Sequence, residues 1–250
     1  MYITRDTGTA GRARRATAPD APGSGAPPSL ASEQPLGPDA ATILASEHWS
    51  LLGFRSLIWS EAMSRAAVFL SVLSAAIITL ALLSTATGGS RTSTIALVLL
   101  PVVLFLGIAT HIRVVQINTE ETEIMLAMNR LRHAYLQIAP GLEPYFTSGH
   151  HDDASGLAAS FLRPGKPGRL GPWGYFLVNT PTVLATVDAA LAAAVAVLAV
   201  RQAHAPATIA VVTAMVAFLL LWGALVSWER HTLDPVTRTT PRFPTPPDHS

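Results

Sequence analysis

The apolar residues of this chain fall into four long blocks. Stretches without Asp, Glu, Lys or Arg run from Ala66 to Ser90, from Thr92 to Ile112, from Leu170 to Val200 with one interruption at Asp188, and from Gln202 to Trp228. A bilayer core about 30 Å thick needs about 20 mostly apolar helical residues, and each block supplies or nearly supplies that length. The pattern predicts transmembrane helices at 65–84, 93–112, 178–200 and 207–228. Gly88-Gly89-Ser90 separates the first two and Arg201 to Pro206 the last two, so each pair is expected to form a tight antiparallel hairpin. Thr180 before Pro181 reads as an N-cap with proline at the first helical position.

The first two helices have no stop signal at their polar ends. Ala41 to Ser64 holds one Gly and no Pro, and interleaves Leu44, Leu51, Leu52, Phe54, Leu57, Ile58 and Trp59 with Glu47, Arg55 and Glu61. That is an amphipathic helix. The second helix continues past Arg113 to Pro140, with Val114, Ile117, Glu121, Ile124, Met128, Leu131, Tyr135 and Ile138 stepping by three and four as a heptad seam. Side by side, the two extensions predict a stalk in which Arg55 meets Glu123 and Glu47 meets Arg130 and Arg132. The alternative is that Ala41 to Ser64 lies flat on the inner leaflet with its Trp and Leu face in lipid.

Charge distribution orients these elements. Of 17 Lys and Arg, only Arg91 and Arg201 lie in the two hairpin turns, and basic residues near a membrane stay on the cytoplasmic side. Both termini are therefore expected in the cytoplasm. Trp59, Trp173, Tyr175 and Trp228 fall near the same interface, where amphipathic rings collect. The expected organisation is a disordered tail at 1–41, the first two membrane helices and their extensions at 42–139, a cytoplasmic loop at 140–172, the second pair at 173–228 and a disordered tail at 229–250. No apolar run follows Arg12, Arg14 and Arg15, so no secretory signal is expected at the N-terminus. The fold class is all-α: four transmembrane helices in two hairpins, with a cytoplasmic helical-hairpin stalk.

Composition narrows the chemistry. Half of the 250 residues are hydrophobic and 13% are charged, against roughly 25% in soluble domains. A net charge of +1 offers no basic surplus for nucleic acid, and the absence of Cys removes disulfides, thiolate metal sites and Cys nucleophiles. No Gly-rich phosphate loop and no G-x-S-x-G motif occurs, and no cofactor is expected.

Val115-Gln116-Ile117-Asn118, Met128 to Tyr135, Glu143-Pro144-Tyr145-Phe146 and Gly149-His150-His151-Asp152-Asp153 together resemble uncharacterised multi-pass membrane proteins of actinobacteria and related bacteria. The resemblance spans about Trp49 to Glu229 and implies a membrane protein without implying an activity. The layout is also similar, more weakly, to small bacterial membrane effectors that join paired membrane helices to a cytoplasmic helix.

Three places carry candidate chemistry. Asp188 stands alone inside a span, where a central Asp costs roughly 2.5–3.5 kcal/mol. It is either a proton- or cation-handling carboxyl, or a structural group bonded to a hydroxyl such as Ser71, Ser74, Thr79, Thr110 or Thr213. His150, His151, Asp152 and Asp153, with Glu143 and His133 upstream, are the densest metal-capable set. Adjacent loop residues point apart, so capping or a binding surface competes with a metal site and with hydrolysis. Ala185, Ala189, Ala192, Ala193, Ala196 and Ala199 are small residues at helical spacing, suited to packing within the bundle or to a homo-oligomer. The leading expectation is a non-enzymatic assembly, signalling or effector component, bound to the bilayer and meeting a cytoplasmic protein through its helical module. A homo-oligomeric channel or small transporter using Asp188 comes next, and a membrane-bound metal enzyme third.

Overall fold

A computed structural model describes residues 37–87, 89–161, 179–237 and 240–246. Every regular element among them is helical: α1 Pro38–Thr87, α2 Gly89–Ile138, a 3₁₀ turn Pro140–Tyr145, α3 Ala154–Phe161, α4 Thr180–Gln202 and α5 Ala207–Thr237. Helices α1, α2, α4 and α5 are long and apolar enough to cross a membrane, as in a multi-pass membrane protein. Most of the expected N-terminal tail and the 162–178 part of the central loop, with Trp173 and Tyr175, lie outside the described residues.

Helices α1 and α2 are 50 residues each, about 75 Å long at 1.5 Å per residue. They pack antiparallel along a heptad seam. On α2 the seam comprises Ala96, Leu100, Val103, Gly107, Thr110, Val114, Ile117, Glu121, Ile124 and Met128, which step by four and three without a break, all but Glu121 being buried. On α1 it comprises Ile58, Ala62, Phe69 and Ala76, with Leu51, Leu73 and Leu80 packed beside them. One continuous core therefore runs through the apolar part of both helices and on into their polar extensions. Pro101 lies on the exposed side of α2, and the helix continues through it.

The antiparallel pairing matches the expectation, but its ion pairs fall at other partners. Arg55 donates through Nε and Nη2 to Glu121, at 3.0 and 2.8 Å, rather than to Glu123. Arg113 donates to Glu61 at 3.0 Å and to Glu120 at 2.8 Å. Toward the far end, the His48 and Tyr135 rings are 6.2 Å apart. Glu47 is exposed, and Arg130 and Arg132, expected beside it, turn to the loop after α2. A fully buried carboxylate there outcompetes a solvated glutamate on a helix face.

Helix α4 packs on α2 and α5, and α5 also reaches α2. Its N-cap is Asn179, one residue before the expected Thr180: the Asn179 Oδ1 accepts from Thr182 N at 2.9 Å, and Pro181 sits in the first turn. Asparagine is a strong N-cap because its short amide reaches an otherwise orphaned N–H. Here the amide does more, since Nδ2 donates to Glu229 of α5 at 3.0 Å and ties the two helices at that end. Between α4 and α5 the chain turns at His204, whose φ of 58° is left-handed.

The tail expected from 229 onward is structured in two places. Helix α5 runs on to Thr237, because no breaker follows Trp228 until Pro235. Residues 240–246 then lie against the loop after α2. That loop is itself built: the 3₁₀ turn and α3 occupy it.

Candidate functional site

Asp188 enters the core from the ninth position of α4 and is fully buried. What receives it is a notch in α2. A Cβ placed on Gly107 would collide with Asp188 Oδ1 and would also come within 2.8 Å of the Phe69 ring of α1. Three helices thus converge on one carboxyl, and Gly107 is what allows the approach. Neither oxygen of Asp188 has a hydrogen-bond partner. The five hydroxyls that could have bound it are engaged elsewhere: Ser71, Ser74, Thr79, Thr110 and Thr213 each donate to the carbonyl four residues earlier on their own helix, at 2.8 Å. Burying a carboxyl without a donor is costly in an apolar interior, which marks Asp188 as the exceptional group of this core.

Two more ionisable groups are sealed where α2, α4 and α5 meet: His111, which by sequence reads as an interface residue at the inner end of the second helix, and Glu229. His111, one turn along α2 from Gly107, is fully buried; Nδ1 meets the Pro181 carbonyl at 3.1 Å and Nε2 has no partner. A carbonyl can only accept, so Nδ1 is the donor in that bond. Glu229 of α5 is fully buried too, with Oε1 held by Asn179 and Oε2 unpartnered. Glu229 follows directly on the last charge-free block, so by sequence it counted as the end of a span. The available signal was Asn179, a polar residue directly before the expected cap Thr180 in the neighbouring helix.

The loop after α2 holds the second constellation. Asp153 caps α3, its Oδ1 accepting from Gly156 N at 2.8 Å and Ser155 Oγ at 2.9 Å. Gly149 and Gly156 pack backbone on backbone, since a Cβ on either would strike the main chain opposite it. Asn129, buried on α2, donates to the His151 carbonyl at 2.9 Å, and Arg130 Nε donates to Asp152 Oδ2 at 2.7 Å. Asp152, fully buried as a side chain, takes the N–H groups of Arg242 at 3.0 Å and Phe243 at 2.7 Å. Asp153 takes Thr245 N at 2.7 Å and Thr245 Oγ1 at 3.0 Å. The Phe243 ring stacks on His133, with centroids 4.2 Å apart and planes at 20°.

All four carboxylate oxygens of the pair are therefore engaged by N–H and O–H donors. His150 and His151 pack ring to ring at 4.2 Å; burial, and then the neighbouring His151, push the His150 imidazole down toward its neutral form. Among the described residues no three His, Asp, Glu or Cys side chains are placed to share a metal ion. The geometry is that of a clasp on the main chain of residues 241–245.

Burial works to raise both aspartates, but for Asp152 the N–H groups of Arg242 and Phe243 and the Arg130 guanidinium outweigh it, and for Asp153 those of Gly156 and Thr245 do. Both carboxyls lie below their ordinary values. Groups lowered on folding contribute stability above the unfolded pKa of about 3.9, and that stability is lost as pH falls through the lower folded values. Hydrogen-exchange protection of the Arg242, Phe243 and Thr245 amides, corrected for intrinsic rate, is expected to stay constant between pH 7 and about 4.5. Protection already lost near pH 6 would show that the two carboxylates do not hold the segment.

Compared with protein-family models, curated proteins and solved structures, the chain matches none.

Proposed function

We propose that this is a non-enzymatic, multi-pass protein of the bacterial plasma membrane that works in assembly, signalling or as an effector. In this reading α1/α2 and α4/α5 are two membrane hairpins with both chain termini in the cytoplasm. The polar lengths of α1 and α2 rise from the membrane as a stalk that meets another protein. One observation carries it: two zipped helices of 50 residues, about 75 Å each, far exceed a bilayer core of about 30 Å. The surplus is paired by Arg55–Glu121 and Arg113–Glu61. A helix unbroken through Ser64 has no joint at which to turn flat onto the leaflet. The stalk half of α1 leaves Ile43, Trp49 and Leu57 more than 60% exposed, apolar surface of the kind partners cover. The small number of basic residues in the two turns and the resemblance to actinobacterial membrane proteins agree.

The chain has no native Cys, so engineered cysteines read without background. Arg55→Cys with Glu121→Cys is expected to join through a short thiol crosslinker in native membranes, and Arg55→Cys with Tyr135→Cys is not. Equal yields from both pairs would remove the stalk. Photo-crosslinkers at Ile43 and Leu57 should then give adducts of one discrete protein; adducts to lipid alone would remove the partner.

A second reading, a homo-oligomeric channel or small transporter, is favoured by Asp188, buried with both oxygens unpartnered. Asp188→Asn keeps the shape and cannot release a proton. In proteoliposomes it is expected to cut any proton-dependent flux by about tenfold or more, a barrier change of about 1.4 kcal/mol. Flux unchanged by the substitution, or absent from both proteins, would remove this reading.

A further inference from the structure

Residues 241–246 read Pro-Arg-Phe-Pro-Thr-Pro. Proline has no N–H, fixes its own φ and restricts the residue before it, so this segment has little conformational freedom to lose on binding; in place it bends at Arg242 and Phe243. Only Arg242, Phe243 and Thr245 carry main-chain donors, and each of the three donates to a carboxylate oxygen of Asp152 or Asp153, at 3.0, 2.7 and 2.7 Å. The spacing of the prolines and the spacing of the acceptors match completely. The opposite polarity is met as well: the Phe243 carbonyl accepts from Asp152 N at 3.2 Å and from His151 Nδ1 at 3.3 Å. Phe243 is the side-chain anchor on His133, and the Thr245 hydroxyl lies 2.6 Å from Ser155 Oγ.

The receiving surface does not depend on the segment for its shape. Arg130 holds Asp152, the N-cap bonds of α3 hold Asp153, and Asn129 is locked by Arg132 at 2.7 Å and Ser160 at 2.9 Å while it grips the loop. The segment, by contrast, lies on the outside: Arg242, Pro244, Thr245 and Pro246 are exposed, and Pro241 and Phe243 are half-buried. It can leave without opening the helix core. Beside Thr245 a cavity of about 290 Å³ extends between Ser148, Gly149 and Ala159, room for a larger residue at that position.

We propose that Asp152, Asp153, His133 and His151 form a binding site for proline-punctuated peptides of the pattern Pro-x-aromatic-Pro-Ser/Thr. The chain's own residues 241–246 fill it in cis, and a segment of that pattern on a partner protein fills it in trans. The site names the partner's chemistry and rests on the reading of the extra-membrane module as the part that meets another protein. Recognition combines main-chain hydrogen bonds with the low ordering cost of a chain that its prolines already restrict.

The test uses the full chain in nanodiscs and a fluorescein-labelled peptide, Thr-Pro-Arg-Phe-Pro-Thr-Pro, the sequence of residues 240–246. A tethered ligand competes at an effective concentration near millimolar, so the natural chain should bind the peptide weakly. Opening the latch with Phe243→Ala and Thr245→Pro is expected to tighten binding about tenfold or more. Adding Asp152→Asn should reverse that gain, and methylating the peptide's Phe nitrogen should abolish binding, a readout that nonspecific adhesion would not show. Retained 55–121 crosslinking shows that the opened chain is folded. An opened chain that binds no tighter, or that binds the methylated peptide equally, overturns the site. Peptide failure with intact protein adducts at Ile43 and Leu57 leaves the module reading standing, while specific peptide binding without such adducts removes the module reading and leaves the site.

Discussion

Replacing Gly107 by alanine is expected to destabilise the protein, although the same change at Gly223 should stabilise it. Helix interiors ordinarily gain about 0.5–1 kcal/mol from Gly→Ala, because glycine pays more backbone entropy on folding. Gly223 follows that rule: a Cβ there meets nothing within 4 Å. At Gly107 the same methyl would collide with Asp188 Oδ1 and lie 2.8 Å from Phe69. Neither neighbour can give way easily, since Asp188 has one short side chain and Phe69 is fully buried. Overpacking of this kind costs about 1–3 kcal/mol, so the two substitutions should move the thermal midpoint in detergent in opposite directions. Asp188→Ala in the same chain should relieve the cost of Gly107→Ala, giving a double-mutant coupling of about 1 kcal/mol or more. Additive effects would mean that Asp188 does not sit in the Gly107 notch.

The second large effect is expected at Asp152. Its carboxylate is fully buried and is the common acceptor for Arg130 and for the N–H groups of Arg242 and Phe243. Hydrogen bonds to a charged partner contribute roughly 1.5–3 kcal/mol each and are not additive. Asp152→Ala removes three at once, so residues 240–246 should detach while the long helices stay intact. Trypsin reads this directly, because the Arg242–Phe243 bond lies inside the clasp. Cleavage there is expected to accelerate by more than about tenfold, the equivalent of 1.4 kcal/mol, with Asp152→Asn falling between because an amide keeps one acceptor. Identical cleavage rates in the natural and variant chains would show that the carboxylate does not hold the segment.

These two sites were legible in the sequence to different degrees. Asp188 was conspicuous, because a charge in an apolar block stands out whatever the fold. Its notch was not, since a glycine among Leu106 and Ile108 has no partner until α4 is laid across it. The His150 to Asp153 run drew attention for its metal-capable side chains, whereas its role turned on seven residues about 90 positions later. Those residues, three of them proline, lie within the tail expected at 229–250. The same prolines remove the donors that Asp152 and Asp153 would have no oxygen left to accept.

The register of α1 against α2 was partly legible. Outside the apolar blocks, polar residues alternate with Ile117, Ile124 and Met128, and the three-four period is visible. Within the blocks nearly every position is apolar, so nothing distinguishes the seam of Ala96, Leu100 and Val103 from the exposed Val98, Val102 and Phe105. Individual ion pairs were the least legible, since Arg and Glu side chains reach across several positions and a shift of two residues changes the partner without changing the packing.

By itself the sequence determined that the chain is helical, that four of its helices are long and apolar enough to cross a membrane, and that the first two run on beyond the apolar blocks. Those follow from local quantities: run length, charge spacing and the positions of breakers. Only the tertiary structure decided that Asp188 meets Gly107 and Phe69 rather than a hydroxyl, that His111 and Glu229 are sealed beside α4, and that the C-terminal prolines lie under two aspartates. Each of those depends on which surfaces of distant segments touch, and an apolar helix looks the same on every side until a neighbour is packed against it.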